Sequence, residues 1–441
     1  MNFEEFKDKV LAYAKKKGLE AELNYEMEYE FSIMLSNGEL DQYSDAGSRS
    51  VMLKVLKNGK LGVSSTEIFE EPERLVEEAE ENMKLVDSEE EELLYDGKGD
   101  YPSYPSMKTY FGEFEKLSVK DKMDFAFNIH KHAKEDKRII MVPRAVFAHF
   151  VRESRIINTL GLELFYKGDG GYAYAMTLAA DNSPRAGLYF DVSTVPEGLN
   201  SELIGKKAAE EAIMKIGSKS LKSGKYRVIL RNDVVSEIFG MLAGMVSAER
   251  AQKNLTPLKN KLGEKVGSDI LNILDLPYFP GSIFNRPFDS EGVPTQEKKV
   301  FENGVFKTFL HNLKTAKKEN RKSTGNARGL SEIAPVNFVI EKGNYDYNQL
   351  IKELDSGIVI TDVEGMHSGS NPISGNFSLG ARGYRVENGE IVGGVEQITI
   401  SGNILEILKN VEAVGSDIKV FLSCISPSLL IKEIDVAGNE K

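Results

Sequence analysis

The chain has 441 residues, and its 56 Lys and Arg against 68 Asp and Glu give a formal net charge of −12. A surface this acidic repels phosphate backbones, so direct nucleic-acid binding is not expected. Cys424 is the single cysteine, which excludes a disulfide framework and a Cys-rich metal site. The sequence contains no run of about 18 apolar residues, so we expect no membrane span and a cytoplasmic protein.

The chain is predicted to begin with a helix followed by strands. Apolar residues recur on one helical face over residues 3–14, and Gly18 follows as a stop signal. Alternating polar and apolar residues then predict strands over residues 22–36, 50–56 and 61–65. This pattern is typical of a sheet with one buried face.

Four Asn-Gly pairs predict tight hairpins, because this pair readily supplies the two positive φ angles of a type I′ turn. They stand at residues 37–38, 58–59, 303–304 and 388–389. Their presence in both halves of the chain favours antiparallel sheet over a doubly wound parallel sheet.

Further helices are predicted where apolar spacing coincides with a start signal. One helix begins at Pro72, and a second begins at a capping box formed by Ser118 and Asp121 and runs to about Ala133. A β-rich stretch over residues 139–191 precedes a further helix over residues 201–216.

A long helix is predicted over residues 234–249, after a strand at residues 226–230 and with Asn232 or Asp233 as its cap. Gly240 and Gly244 lie four residues apart on this helix. That spacing predicts close packing of another backbone against the helix.

The remainder of the chain is predicted to alternate short strands with glycine-rich loops, interrupted by one helix near residues 348–354. Pro102 and Pro105 mark a linker at residues 100–106, and residues 219–224 form a second boundary. We therefore predict an α+β fold in two parts, with antiparallel or mixed sheets and packed helices in each half. The expected units are an N-terminal α+β subdomain (1–105), a central α+β subdomain (106–220) and a C-terminal β-rich domain (221–441).

Two charged segments are expected to be solvated. The acidic run at residues 88–92 is predicted to form an exposed loop. The basic segment consists of Lys314, Lys317, Lys318, Arg321, Lys322 and Arg328. A solvated helix or loop is favoured for it over a surface that receives nucleic acid or an acidic partner.

The histidines do not form a helical zinc motif, which needs two of them three or four residues apart on one face. They stand at positions 130, 132, 149, 311 and 367, and His130 and His132 point to different sides of their predicted helix. His149 is expected to be a structural histidine with its hydrogen bonds satisfied, and Cys424 a buried small hydrophobe.

The densest polar, glycine-rich stretch spans residues 364–380 and follows an apolar strand. Its glycines allow close backbone approach, and exposed amides in such loops pair readily with an extended peptide. The predicted peptide-binding residues are Gly365, His367, Ser368, Gly369, Asn371, Ser374, Gly375, Asn376 and Ser378. The alternative is an ordinary long loop.

A second cluster, at residues 288–295, contains the paired carboxylates Asp289 and Glu291. Such a pair could hold a cation or share a proton. Without histidine support, a turn with a capping Asp is the favoured interpretation.

Motifs in five segments support a family resemblance. They are FDSEGVPT at 288–295, STGNAR at 323–328, HSGSNPISGNFS at 367–378, GYRVENGEI at 383–391 and SPSLLIKEI at 426–434. With these motifs in this order, the chain resembles the TldD/PmbA family, also called modulators of DNA gyrase. The resemblance covers nearly the whole chain.

The resemblance implies a component of a cytoplasmic zinc metallopeptidase that degrades or processes unfolded peptides and contains TldD-type and TldE (PmbA)-type subunits. The TldD type holds the metal on a helix with a His-Glu-x-x-x-His pattern and through a downstream cysteine. The matching helix here, residues 234–249, contains no histidine, and its carboxylates Glu237 and Glu249 are twelve residues apart. Cys424 lies just before Pro427, whereas the family's cysteine ligand lies well upstream of that proline. Asn376 stands where many relatives have Asp.

The chain therefore resembles the TldE/PmbA type, with no metal of its own and zinc expected on a TldD-like partner. In this hypothesis the loop at residues 365–380 helps to bind an extended peptide, and a homodimer is possible when the partner is absent. A second hypothesis is a self-sufficient peptidase that acts through His367 with Asp289 or Glu291 and Ser368. A third is a protein-binding modulator of DNA gyrase control.

Overall fold

The computed structural model describes residues 1–86 and 90–440. It confirms the α+β class, with antiparallel and mixed sheets and packed helices in both halves of the chain. Residues 88 and 89 of the predicted acidic run lie outside the described residues.

The first half folds around one antiparallel six-stranded sheet. Its elements are α1 (Phe3–Lys16), β1 (Glu20–Ser36), β2 (Glu39–Lys57), β3 (Lys60–Thr66), α2 (Pro72–Leu85), α3 (Val119–Ala133), β4 (Ile139–Asn158), β5 (Glu163–Ala179), β6 (Arg185–Ser193) and α4 (Ser201–Met214). The strand order is β3-β2-β1-β4-β5-β6. The four helices cover one face of this sheet, on which Leu23, Phe31 and Phe147 are buried. The other face, on which Asn24 and Glu26 lie, is turned towards the C-terminal part of the chain.

This first sheet takes strands from both of the predicted segments 1–105 and 106–220, because β1 pairs with β4 over fourteen residue pairs from Glu22–Asn158 to Leu35–Ala145. The three-part division of the chain stays a prediction. One-turn 3₁₀ helices at Phe114–Lys116 and Pro196–Gly198 flank the central elements.

The second half is richer in strands. Its elements are β7 (Gly224–Leu230), α5 (Asn232–Met245), α6 (Ala248–Gln252), β8 (Ile273–Asp275), β9 (Lys298–Glu302), β10 (Val305–Phe306), α7 (Leu313–Lys318), β11 (Ala327–Arg328), β12 (Glu332–Ile333), β13 (Phe338–Ile340), α8 (Tyr347–Leu354), β14 (Gly357–Glu364), α9 (Met366–Gly369), β15 (Asn376–Glu387), β16 (Glu390–Asn403), α10 (Ile404–Lys409), β17 (Val411–Val414), β18 (Lys419–Phe421), β19 (Cys424–Ser426) and β20 (Leu429–Ala437).

Two six-stranded sheets and one hairpin organise these strands. One of these sheets has the order β16-β15-β14-β7-β20-β17, with β7 and β14 parallel. A further pairing between β16 and β20 closes five of its strands into a ring, and β17 pairs with β20 outside this ring. The second sheet has the order β10-β9-β8-β13-β19-β18, and β11 pairs with β12. The largest apolar core of the described residues lies between these sheets and α5.

The hairpin and capping predictions are confirmed. Each of the four Asn-Gly pairs has positive φ at both residues, for example 52° at Asn37 and 86° at Gly38. The capping box of Ser118 and Asp121 is present at the start of α3. The expectation of a single helix among the C-terminal strands was wrong, since α7, α9 and α10 are also present. These helices have four to six residues, too few to show an apolar period.

The start and end of α5 differ from the prediction. The helix is preceded by Arg231 in extended conformation, without a side-chain cap, and it ends at Met245 rather than continuing to residue 249. Asn232 does not cap because its Nδ2 donates to the carbonyl oxygen of Asp417 at 2.8 Å. Asp233 is engaged by the guanidinium of Arg231 instead.

The predicted backbone contact at the glycines of α5 was also wrong. A Cβ at Gly240 would meet nothing within 4 Å, and one at Gly244 would meet only the guanidinium of Arg250, at 3.8 Å. Close backbone packing occurs instead at Gly205 of α4, where a Cβ would lie 2.4 Å from the carbonyl oxygen of Ile129 on α3.

The described residues of the two predicted charged segments are largely exposed, as expected, and they also pair with each other. Lys314 and Lys318 pair with Glu92 and Glu90 at 2.8 and 2.9 Å, and Lys317 pairs with Glu91. The described part of the acidic run therefore offsets positive charge on the basic helix α7 from within the same chain.

The glycines of α4 and α5 give a matched test of this packing. Gly240→Ala should stabilise the protein by about 0.5–1 kcal/mol, because alanine lowers the entropic cost of a helix interior and its methyl group meets no neighbour. Gly205→Ala should instead destabilise it by about 1–3 kcal/mol through overpacking against α3. Urea unfolding of both variants measures the two changes. Changes of the same sign would contradict this account.

Candidate functional site

The glycine-rich loop after β14 has a backbone fixed by its own hydrogen bonds. Gly365 ends the strand with φ of 89°, and the one-turn helix α9 follows. The Oδ1 of Asn371 accepts from the amides of Ile373 and Ser374 at 2.9 and 3.1 Å. The amide of Asn371 donates to the carbonyl oxygen of Asn376 at 2.8 Å. The loop therefore has a turn conformation that its own hydrogen bonds stabilise.

A neighbouring side chain fixes the other end of this loop. The Nδ2 of Asn403 donates to the carbonyl oxygen of Ser374 and to the Oδ1 of Asn376, at 2.9 and 2.8 Å. Gly375 is required there, because its φ is 82° and a Cβ would lie 2.9 Å from Ile404. The predicted peptide-binding residues with exposed side chains are His367, Ser368, Asn371, Asn376 and Ser378. The loop thus presents several polar groups on a defined backbone.

The second predicted cluster lies where the C-terminal part meets the first sheet. Asp289 is buried, and its Oδ1 accepts from the amides of Glu291 and Val293 at 2.9 and 3.0 Å. Its Oδ2 accepts from the amide of Ala327 at 2.9 Å. The predicted capping turn is present, and backbone amides use both oxygens of this carboxylate.

Glu291 has a different environment from Asp289. Its Oε2 accepts from the amide of Leu313 at 2.8 Å. Burial, followed by the neighbouring charge of Asp289, raises the pKa of the Glu291 carboxyl to about 8. A buried ion pair between Lys54 and Glu22, at 3.0 Å, lies on the adjoining sheet.

His367 and these two carboxylates lie on different elements of the fold. His367 is exposed on α9, and within the described residues no hydrogen bond or salt bridge joins it to Asp289 or Glu291. Any joint action of the three residues stays a hypothesis.

His149 is buried on β4 as expected, but only one of its ring nitrogens has a partner. Its Nε2 lies 2.8 Å from the Nζ of Lys122, whereas Nδ1 is buried without a hydrogen-bond partner in the described chain. The expectation that its hydrogen bonds are satisfied was therefore wrong for Nδ1. The ring stacks between Phe31 and Phe114. Burial, followed by the charge of Lys122, lowers the pKa of His149 to about 4.

The exposed face of α5 carries a titratable group, Glu237, near strand β14, which precedes the glycine-rich loop. Glu237 is exposed, and its partial desolvation by neighbouring elements, followed by the charges of Asp233 and Asp362, raises the pKa of its carboxyl to about 7. Asp362, on β14, pairs with Arg382 at 3.3 Å, and Arg382 also pairs with Glu364 at 2.6 Å. A carboxyl that titrates near neutral pH can transfer protons in water. The sequence pointed to Glu237 through its helix, but the ion pairs between β14 and β15 near it could be found only from the fold.

A buried arginine holds α5 in place. The guanidinium of Arg231 donates to Asp233 at 2.7 Å and to the carbonyl oxygen of Thr361 at 2.8 Å, and it pairs with Glu211 of α4. Tyr384 donates to the same Glu211 at 3.3 Å. This network was not predicted, because its members are separated by up to 173 residues along the chain.

The donor set near α5 does not fit a zinc site. Zinc sites use histidine, cysteine and carboxylate ligands in tetrahedral geometry. The helix offers carboxylates without imidazole, and Cys424 is 6% exposed with its thiol pKa raised to about 12 by burial. Over residues 1–86 and 90–440, no group of three or more His, Cys, Asp or Glu is placed to hold a metal ion.

No helix among the described residues combines the length and the apolar character that a membrane crossing needs.

Solved structures resemble this fold over almost its full length. A Thermotoga maritima protein described as a candidate modulator of a DNA gyrase is 50% identical, with a TM-score of 0.94 over 99% of this chain and 100% of that one. TldE from Thermococcus kodakarensis is 24% identical, with a TM-score of 0.90 over 98% of this chain and 100% of that one, and shows the fold alone.

The sequence comparisons lead to the family. Metalloprotease PmbA of Escherichia coli O157:H7 is 30% identical over 69% of this chain and 70% of that protein. Models of the PmbA/TldA metallopeptidase match in chain order: domain 1 over residues 21–83, the central domain over residues 112–216 and the C-terminal domain over residues 223–438. These matches define a chain built from all three domains of that architecture. It belongs to the PmbA/TldD family.

The Asp289–Glu291 pair predicts a pH-dependent stability. Because the pKa of Glu291 is raised from 4.5 to about 8, the native state binds more protons than the unfolded state between these values, and stability falls as pH rises through that window. Glu291→Gln keeps an acceptor for Leu313 and should flatten this fall, with a gain of about 1 kcal/mol or more above about pH 8.

Asp289→Asn is the matched control. It loses an acceptor for a buried amide, which should destabilise the protein by about 1–3 kcal/mol at about pH 5.5. It also removes the negative charge that helps to raise the pKa of Glu291, so part of the pH dependence should be lost with it. Urea unfolding at about pH 5.5 and about pH 8.5 separates the two effects. A Glu291→Gln protein with the pH dependence of the unmodified chain would contradict the assignment.

Proposed function

We propose that this chain is the non-catalytic, PmbA/TldE-like subunit of a cytoplasmic TldD/TldE-type zinc metallopeptidase that degrades or processes unfolded peptides. In this proposal a TldD-like partner holds the zinc and supplies the base, and the present chain contributes peptide-binding surface. The family membership supports a role in such an enzyme, since the E. coli relative is named a metalloprotease.

The observation that carries the proposal is the chemistry of α5. Zinc-dependent hydrolysis requires a metal with an open coordination position and protein ligands that hold it. The helix presents Glu237 and Gly240 to solvent. The thiol of Cys424 is buried with its pKa raised, so its thiolate form is disfavoured. In this proposal the metal ligands therefore come from another subunit.

The loop at residues 365–380 supports a role in peptide binding. Its exposed side chains, including His367 and Asn371, are hydrogen-bonding groups on a backbone that other hydrogen bonds already fix. A preorganised loop loses little conformational entropy when it binds an extended chain. The predicted peptide-binding residues of this loop are retained in the proposal.

Purification of the chain with and without a TldD-like partner tests whether the partner holds the zinc and is needed for cleavage. We expect less than about 0.1 mole of zinc per mole of the isolated chain by elemental analysis, and cleavage of an unfolded peptide only after the partner is added. Light scattering of the isolated chain tests the accompanying expectation of a homodimer. Chelator-sensitive cleavage by the chain alone would contradict the proposal.

His367→Ala in the reconstituted assembly distinguishes peptide binding from catalysis. We expect KM to rise about two- to tenfold with kcat unchanged, because the residue contributes binding that is equal in the ground and transition states. His132→Ala, on α3, serves as the control. A fall in kcat of about 10²-fold or more for His367→Ala alone would favour the self-sufficient peptidase instead.

A further inference from the structure

A cavity of about 400 Å³ lies between the helix-free face of the first sheet and the C-terminal part of the chain. One wall includes Asn24 and Glu26 of β1 and Ile156 of β4. The facing wall includes Arg286 and Phe288, from the segment between β8 and β9. Small-molecule sites typically have volumes of roughly 300–1,000 Å³, so this cavity is large enough for a small ligand.

The sheet wall contains a buried acceptor that lacks a donor. Asn24 is 6% exposed, and its Nδ2 donates to the carbonyl oxygen of Ser290 at 3.1 Å, which fixes the orientation of the amide. Its Oδ1 is buried and has no hydrogen-bond partner in residues 1–86 and 90–440. A buried polar atom left unpaired costs about 1–3 kcal/mol. Asn24 thus brings an unpaired acceptor to the wall of the cavity.

The facing wall contains a guanidinium that lacks an acceptor. The Nε of Arg286 is buried without a partner, and its side chain makes no hydrogen bond or salt bridge within the described residues. Arg152 on the same sheet face shows the contrast, since it pairs with Glu28 at 2.9 Å. A guanidinium matches the geometry of a carboxylate with two parallel hydrogen bonds.

Glu26 adds a negative charge on the side of Asn24. The two residues are two apart on β1 and share one face of the sheet, and Glu26 accepts from the hydroxyl of Ser154 at 2.8 Å. Glu26 is exposed at the cavity, and its partial desolvation there raises its pKa, which a bound cation would oppose. This mixture of charges disfavours a phosphate, which Glu26 would repel, and a bare metal ion, which Arg286 would repel.

We propose that the cavity binds a zwitterionic dipeptide, with Arg286 at its carboxylate and Asn24 and Glu26 at its ammonium group. Met52, Ile156 and Phe288 provide apolar surface for its side chains. The inference deepens the proposed function, because an unblocked short peptide is what peptide degradation releases. Binding here requires no second subunit, so the two proposals can fail separately.

Calorimetric titration of the full chain tests the site with the dipeptide alanyl-leucine and its N-acetylated and C-amidated forms. We expect saturable binding of the free dipeptide and at least about tenfold weaker binding when either end is blocked. Arg286→Gln should weaken binding of the free and N-acetylated forms at least about tenfold and leave the C-amidated form unaffected. The exposed Arg321→Gln is the control and should change nothing.

Glu26→Gln provides a second, independent variant, which should weaken the forms that carry a free ammonium group. Thermal unfolding verifies that each variant is folded. If Arg286→Gln does not fold, the Glu26 variant and the blocked dipeptides still test the site. Absence of saturable binding up to about 10 mM, equal binding of the blocked forms, or equal behaviour of the Arg286 and Arg321 variants would overturn the proposal. None of these results would affect partner-dependent peptide cleavage.

Discussion

The candidate site depends on a single largely buried guanidinium, that of Arg231 at the end of β7. It connects Glu211 of α4, Asp233 at the start of α5 and the carbonyl oxygen of Thr361 in β14, which lie 20, 2 and 130 residues away. Removal of one partner from a buried ion pair costs about 3–5 kcal/mol, because the remaining charges stay desolvated. This guanidinium thus ties the orientation of α5 and of the loop that follows β14 to the central helices, together with the Tyr384–Glu211 hydrogen bond and the Lys215–Asp362 ion pair.

The parts of the fold that sequence patterns predict well are those decided within a few residues. The Asn-Gly turns form because asparagine and glycine accept positive φ, whatever the rest of the chain does. The capping box of Ser118 and Asp121 likewise satisfies its own backbone amides. In the candidate site, the capping role of Asp289 was predicted correctly for the same reason, because its partners Glu291 and Val293 lie within four residues.

The parts that sequence patterns missed are decided by distant partners. Asn232 has the side chain of a cap, but Asp417 competes for it, so the start of α5 is set by a contact across 185 residues. The glycines show the same limit. Spacing alone marked Gly240 as a packing position, whereas the close backbone contact occurs at Gly205, where α3 and α4 meet. The cavity beside Asn24 could not be predicted, because its walls are joined only by the tertiary fold.

The polar groups between the first sheet and the C-terminal part are of two kinds. Some have all their hydrogen-bond partners within the chain, and others have an unpaired atom that a ligand can use. Asp289 has both oxygens occupied by backbone amides, and Lys54 is neutralised by Glu22, so these groups stabilise the interface without capacity for a ligand. Asn24 and Arg286 lie at the same interface, yet each retains a buried atom without a partner. Unpartnered buried atoms also occur elsewhere, as at Nδ1 of His149, and it is their position on the walls of one cavity that distinguishes Asn24 and Arg286. In the proposed site, the ammonium group of a small ligand would pair with Asn24 and its carboxylate with Arg286.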